Sequence, residues 1–448
     1  MLDPMLALYS VPLALVWFAY AAIRQRHETQ SKSVRDAALN AGQSEPVSLH
    51  PAINLSRCLG CGACTRVCPE GEVLGLIEGK AQLIEPTSCI GHGACKTACP
   101  FDAIELVFGT ARRGLDIPHV KTTFETNVPG IFIAGELGGM GLIANAIEQG
   151  RQAVASIARL DGLAQSSQSR RDNQDNQGRQ QHLDVVIVGS GPAGIAASLA
   201  ARERGLSYVT LEQDSFGGTV AHYPRGKLVM TRPTKLPLEG KMKFREISKE
   251  DLIDYWYGLA RRHQLIIHDD ERVERIVAQG RGFNIATAKG HSYVARAVLL
   301  AIGRRGSPRR LGVPGEELAK VTYRLSDPDC YRGRRVLVVG GGDSALEAAA
   351  ALAELPGTSV ALSYRGDSFM KARAVNRQRV ETAWRDGRLH LLMQSTVRAI
   401  GAGSVDIEVN GRIARVQNDA VVICAGGTLP SQFLKSIGIK LETKYGTA

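Results

Sequence analysis

The sequence predicts an α/β protein with two doubly wound βαβ domains, a small cysteine-rich α+β domain ahead of them, and an apolar helix at the N-terminus. Three observations predict this. Two apolar strands, starting near Leu183 and Arg335, each run into a glycine-rich turn and then a helical pattern. Seven of the nine cysteines fall between Cys58 and Cys99, and the run Met5 to Ile23 carries no charge. With 448 residues and 44% hydrophobic content, the chain has material for roughly two to four packed domains. A net charge of +11 raises nucleic acid, anionic lipid or phosphorylated cofactors as partners. The arginines are scattered or in short pairs such as Arg304-Arg305, without a basic block interleaved with aromatics, so nucleic acid is discounted.

The N-terminal run MLALYSVPLALVWFAYAAI is about long enough to cross a bilayer as a helix, with Trp17 and Tyr20 near one interface and Pro12 as a kink. Arg24, Arg26, Lys32 and Arg35 follow it, whereas only Asp3 precedes it. Positive charge stays inside, so the expectation is a single-pass anchor (1–27) and a linker (28–50), with every later domain on the cytoplasmic side of the cytoplasmic membrane. A cleaved signal peptide needs a basic start and a small-residue cleavage site, and neither is evident.

The cysteines read Cys58-x2-Cys61-x2-Cys64-x3-Cys68-Pro69, then Cys89-x5-Cys95-x3-Cys99-Pro100. Soft, anionic thiolates suit iron, short spacings wrap one loop round a cluster, and each proline ends the wrap. Structural zinc is available to any Cys-x2-Cys, but two ladders ending in Cys-Pro disfavour it, and a disulfide framework disagrees with a cytoplasmic chain. The pattern resembles a bacterial two-cluster ferredoxin, over 51–107. That resemblance implies Cys58, Cys61, Cys64 and Cys99 for one 4Fe-4S cluster, and Cys68, Cys89 and Cys95 for the other. His92 stands where the second run should have its middle cysteine. It is either the fourth ligand of a 4Fe-4S cluster or a bystander beside a three-iron cluster.

From Leu183 the chain reads LDVVIVGSGPAGIAASLAARERGLSYVTLEQD. Gly189, Gly191 and Gly194 provide a tight turn, close approach to a pyrophosphate and close helix packing; Glu212, ending the next strand, accepts from a ribose hydroxyl. The second copy has Gly340, Gly342 and Ala345, with Asp343 and Ser344 in the turn, and its next strand ends in Arg365 instead of an acid. A cation there pairs with a 2′-phosphate, which favours NADPH and leaves NADH open; the plain alternative is a solvated surface arginine.

Two such Rossmann-like fingerprints resemble the pyridine-nucleotide flavoprotein reductases, most closely the thioredoxin-reductase-like branch, over most of 108–448. Gly217-Gly218-Thr219, the GVPGE run ending at Glu316 and AGGTLP ending at Pro430 support the likeness. It implies FAD at Gly189, Gly191, Gly194, Glu212, Gly218 and Thr219, and NAD(P)H at Gly340 to Ala345. Those reductases carry a redox Cys-x-x-Cys before the second fingerprint. This chain has only Cys330 there, so cycling through an intramolecular disulfide is disfavoured.

The family's closing FAD motif, T-x-x-P-G-h-F-h-x-G-D, is present at Thr126 to Glu136, ahead of the first fingerprint. The resemblance assigns Gly135, Glu136 and the helix start at Asn145 to FAD. The expectation is a circular permutation: 108–164 is the closing part of the FAD domain, 165–182 a polar disordered tether, 183–318 its main part, 319–427 the NAD(P) domain, and 428–448 a return to the FAD domain. A tether of that length spans about 20–25 Å, enough to rejoin its own domain, while a swapped homodimer is the rival. The expected function is electron exchange among NAD(P)H, FAD and the clusters, serving a redox protein or membrane electron carrier. The alternatives are reduction of a small organic or disulfide-like substrate, and a sensor without turnover.

Overall fold

The computed structural model describes residues 4–41, 45–46, 49–110, 114–139, 141–160, 182–304, 307–370, 372–428 and 430–446. The expected tether lies outside the described residues but for His182, which opens a strand. Two compact units emerge: Met1–Leu115 with Met370–Ala374 and Lys444–Ala448, and Asp116–Phe369 with Val375–Thr443.

In the first unit one helix runs from Pro4 to Asn40, with Pro12 inside it. The expected linker is therefore helical as far as Asn40: no glycine or further proline interrupts it, and Glu28 and Lys32 pair one turn apart at 2.8 Å. Its polar half is held by the domain that follows. Glu28 accepts from the backbone N–H of Glu78 at 3.1 Å, Gln30 meets Glu72, and a methyl group at Gly75 would come within 2.6 Å of the Ser31 hydroxyl. The expected membrane-crossing run begins on side chains outside the described residues. Among the described residues, no helix is long and apolar enough to cross a membrane, so the transmembrane element of the predicted fold is not borne out.

The cysteine-rich part repeats one plan twice. Strand His50–Ile53 leads through a cysteine loop to the short helix Ala63–Arg66, and strand Lys80–Leu83 leads through the other to Ala94–Thr97. The first strand pairs antiparallel with Ile104–Val107, and Leu74–Ile77 pairs antiparallel with Lys80–Leu83. Cys58, Cys64 and Cys95 share one small core with Leu74, Ala81, Ala103 and Ile104. Gly62 and Gly93, at φ 71° and 81°, make the matching left-handed turns that start the two helices.

The second unit is built on two main sheets, of seven and five strands, with smaller antiparallel ones beside them in sequence, such as the three-stranded Ser395–Ile400, Ser404–Val409 and Arg412–Gln417. In the larger, Ile267–His268, Tyr208–Leu211, His182–Val188 and Ser292–Leu300 lie side by side in that order. Ser292–Leu300 divides its far edge: Ala295 faces Phe283 of an antiparallel strand, while Val298 to Leu300 pair in parallel with Ile131 to Ile133. The motif that precedes the fingerprint thus completes the fingerprint's own sheet within one chain. Asn127 secures the junction, donating to Gly438 O and accepting from Lys440 N–H, both at 2.8 Å. Leu434, Ile437 and Ile439 pack in the same core as Ile131 and Ile133. The smaller sheet has five parallel strands in the order Val321–Thr322, Ala420–Ile423, Arg335–Val339, Ser359–Ser363, Leu389–Leu392. Their near-continuous Val, Leu and Ala composition is that of strands buried on both faces.

Candidate functional site

The first glycine loop is built by three different demands on its backbone. Gly189 turns the chain at φ +104°, where a side chain would press on Ala301 O at 2.5 Å. A methyl group at Gly191 would meet nothing within 4 Å, and one at Gly194 would collide with Gly189 O. The middle glycine therefore faces open space while its neighbours are packed, which is the shape of a cradle for a close-approaching ligand. Helix Pro192–Glu203 starts here without a side-chain cap, so its N–H groups and partial positive charge face the cradle. Gly217 donates to Ser190 O at 3.2 Å, and a methyl group at Gly218 would lie 3.0 Å from Gly191 Cα, so this second turn closes over the first, with Thr219 half-buried behind it.

Glu212 ends its strand 5% exposed, accepting from the Ser190 N–H at 2.7 Å and hydroxyl at 3.1 Å and from Asp214 N–H at 3.2 Å. Burial raises its pKa against those bonds. Ser190, which sequence reasoning passed over as the variable residue of the fingerprint, is what holds the carboxylate against the loop. The permuted segment arrives at the same place: a methyl group at Gly135 would lie 3.1 Å from Ala193 Cβ and 3.8 Å from Ala146 Cβ, and Gln149 accepts the Gly135 N–H at 2.8 Å. Helix Ile143–Ile157 packs along Pro192–Glu203 so closely that a methyl group at Gly150 would collide with Ala193 O. Its start, also without a side-chain cap, carries Asn145, whose side-chain oxygen accepts from Arg232 at 2.6 Å. Glu136 is half-buried beside Gly141.

The second loop repeats the first with different ends. A side chain at Gly340, at φ +144°, would collide with Cys424 O, Gly342 is open, and Ala345 is fully buried. Helix Asp343–Ala353 starts without a side-chain cap. Asp343 accepts from Asn376 at 2.7 Å, and Ser344 is exposed. Tyr364 stacks on Phe369 with centroids 5.4 Å apart. Arg365, just past the end of Ser359–Ser363, is exposed and makes no hydrogen bond or ion pair among the described residues. Cys424 lies under this loop, its thiol pushed up by burial to about 12, so it stays protonated and unreactive. Cys330 is exposed, and both thiols are free.

In the first unit the predicted ligand sets are each gathered round one cavity. Cys58, Cys61, Cys64 and Cys99 line one; Cys68, Cys89, Cys95 and His92 line another. Burial pushes the Cys64 and Cys89 thiols up to about 11, with neighbouring cysteines adding to it. A cavity that disfavours bare thiolates is relieved when metal replaces the proton. Among the described residues no group of three His, Cys, Asp or Glu side chains converges to hold a single metal ion. The thiols ring a cavity instead, an arrangement that suits a polynuclear group.

Two open glycine cradles at the ends of parallel strands define a protein with two dinucleotide sites. The chain belongs to the pyridine nucleotide-disulphide oxidoreductase family, whose pattern matches residues 186–447, and residues 50–100 match the 4Fe-4S dicluster domain. It is 30% identical over 271 residues to a ferredoxin–NADP reductase of Ignicoccus hospitalis, covering 58% of this chain and 83% of that protein. A ferredoxin–NADP reductase of Thermus thermophilus is 30% identical over 274 residues, covering 58% and 78%. Among solved structures, the bacillithiol disulfide reductase of Staphylococcus aureus is similar in fold, with a TM-score of 0.51 at 24% identity over 60% of this chain and 85% of that one. The chain is thus an FAD-dependent oxidoreductase that carries an iron-sulfur domain.

Proposed function

We propose that the protein exchanges electrons between NADPH and a one-electron redox partner, by way of FAD in the larger sheet and two iron-sulfur clusters in the first unit. FAD, when bound, supplies the conversion between hydride and single-electron transfer. The observation that carries the reading is the pairing of two open dinucleotide cradles with two thiol-ringed cavities in a chain that lacks a thiol pair near either cradle. Cys424 is half-buried with its thiol pKa raised by desolvation, and Cys330 is exposed with no second cysteine beside it in sequence, so the clusters take the place a redox disulfide holds in a disulfide reductase. Cys58, Cys61, Cys64 and Cys99 hold one cluster, and Cys68, Cys89 and Cys95 hold the other.

Gly191 and the start of Pro192–Glu203 receive the FAD pyrophosphate, and Glu212 orients the adenosine ribose. Gly135 and the start of Ile143–Ile157 close the flavin side, as expected if 108–164 is the family's closing segment moved ahead of its opening one. Its strand is already in register with Val298 to Leu300, so a second copy of the chain is not needed to complete the sheet. Gly342 and the start of Asp343–Ala353 receive the nicotinamide cofactor, with Arg365 on the 2′-phosphate.

The N-terminal run is the membrane contact, on the cytoplasmic side. Leu13, Trp17 and Phe18 are 74%, 62% and 64% exposed, and the basic residues from Arg24 onward suit an anionic lipid surface. A membrane-borne carrier or a small redox protein is then within reach of the clusters. Adding NADPH or NADH separately to the holoprotein with a viologen dye tests the reaction. Flavin bleaching and dye reduction are expected with NADPH, and no bleaching with either nucleotide overturns it.

A further inference from the structure

The two cysteine ladders differ at one rung: His92 takes the place that Cys61 holds in the first. His92 lines the second cavity together with Cys68, Cys89 and Cys95. Its Nδ1 accepts the backbone N–H of Ala94 at 3.3 Å. That N–H is the first of helix Ala94–Thr97, which has no other side-chain cap, so the imidazole satisfies a donor that the helix leaves over. A neutral imidazole has one nitrogen with a free lone pair and one with a proton. With the Nδ1 lone pair taken by Ala94, the proton is on Nε2. Nε2 is buried and has no hydrogen-bond partner among the described residues.

We infer that His92 serves the second cluster as an N–H donor to its sulfur instead of as an iron ligand, and that this cavity takes a three-iron cluster held by Cys68, Cys89 and Cys95. The inference rests on the cluster reading above. Iron coordination needs a lone pair on Nε2, and the proton on that nitrogen moves to Nδ1 only if the Ala94 bond breaks. A sulfur acceptor, by contrast, supplies the partner a buried N–H requires without disturbing either nitrogen. Cys61 shows what the ligand version of this rung looks like, an exposed thiol on the rim of its cavity. Donation to a cluster sulfur raises the potential of that cluster, so His92 is a positioning and tuning residue.

The test uses the full chain with its clusters in place and histidine labelled with 15N. Paramagnetic resonance of the oxidised protein should show a three-iron signal without the strong nitrogen coupling of an iron-bound imidazole. His92→Gln, which keeps an N–H donor and removes the ring, should retain that signal with a small change in potential. His92→Leu should retain it at a lower potential, and His92→Cys should replace it with a second four-iron signal on reduction. Strong 15N coupling in the wild type, or a three-iron signal that appears only once His92 is removed, overturns the inference and leaves the cluster reading standing. A chain with no iron-sulfur signal in either cavity overturns both.

Discussion

The two glycine loops of the second unit share a plan and part ways at their third small residue and at the end of the following strand. At the third position the first loop has Gly194, where a methyl group would collide with the loop's own Gly189 O; the second has Ala345, fully buried and accommodated. At the strand end the first has Glu212, locked against Ser190, and the second has Arg365, exposed and unengaged. One loop is tight and ends in a preset acceptor. The other is looser and ends in a cation that awaits an anion. On the function proposed above, the difference fits a first site whose cofactor stays bound and a second whose cofactor comes and goes.

The largest effect that tests this contrast is at the third position. Gly194→Ala should cost about 3 kcal/mol or more and yield protein without flavin, because the added carbon meets rigid backbone. Ala345→Gly, the reverse exchange in the second loop, should cost only about 1 kcal/mol, the price of glycine in a helix. Thermal melts and flavin content measure both, and equal losses would erase the distinction.

Next come the open middle glycines. A methyl group at Gly191 or Gly342 meets no atom within 4 Å beyond its immediate chain neighbours. Gly342→Val should leave the melting temperature and bound flavin unchanged while raising the KM for NADPH by more than about tenfold, equivalent to about 1.4 kcal/mol. A matching fall in melting temperature would mean that the second cradle is filled by the protein itself.

Arg365→Ala should raise the KM for NADPH by about tenfold or more, as expected for a lost hydrogen bond between charged groups, and leave that for NADH within about twofold. Equal changes for both nucleotides would make Arg365 a surface residue. The smallest effect concerns the seam of the second sheet. Arg335 holds Asp419 through two side-chain bonds, at 2.6 and 3.0 Å, and through its own N–H at 2.8 Å, which together keep that carboxyl well below the usual range. A depressed carboxylate stabilises the fold above its unfolded pKa, and that contribution is lost as pH falls through the folded value. The urea midpoints of wild type and Asp419→Asn should therefore differ most near neutrality and converge on acidification from about pH 5 to about pH 2. A gap that is independent of pH would remove the pair from the account.

Much of this organisation was legible in the residues themselves. The spacing of the cysteines anticipated both cavity linings, since ligands that share a short loop have few ways to point elsewhere. The strand IFI before Gly135 was expected in the flavin domain because the run Thr126 to Glu136 resembles the family's closing FAD motif. Residues 28–40 were read as a linker because they are polar, and the domain that follows gives that polarity partners such as Glu72 and the Glu78 N–H. Ser190, Gln149 and Arg232 carried no signal: each acts through hydrogen bonds to a residue well separated from it in sequence, and no periodicity records such a bond.

By itself the sequence determined the parts: two dinucleotide loops, a two-ladder cysteine domain, an apolar N-terminal run and the order in which they follow one another. Spacing is a local property, and turns, helix starts and ligand loops are set by neighbours along the chain. Tertiary structure alone decided that Ile131 to Ile133 close the sheet of the fingerprint that comes after them, and that Glu212 is held by Ser190 while Arg365 makes no bond among the described residues. Each of those depends on which distant backbone N–H or carbonyl lies within hydrogen-bonding reach, a distance that exists only once the chain has folded.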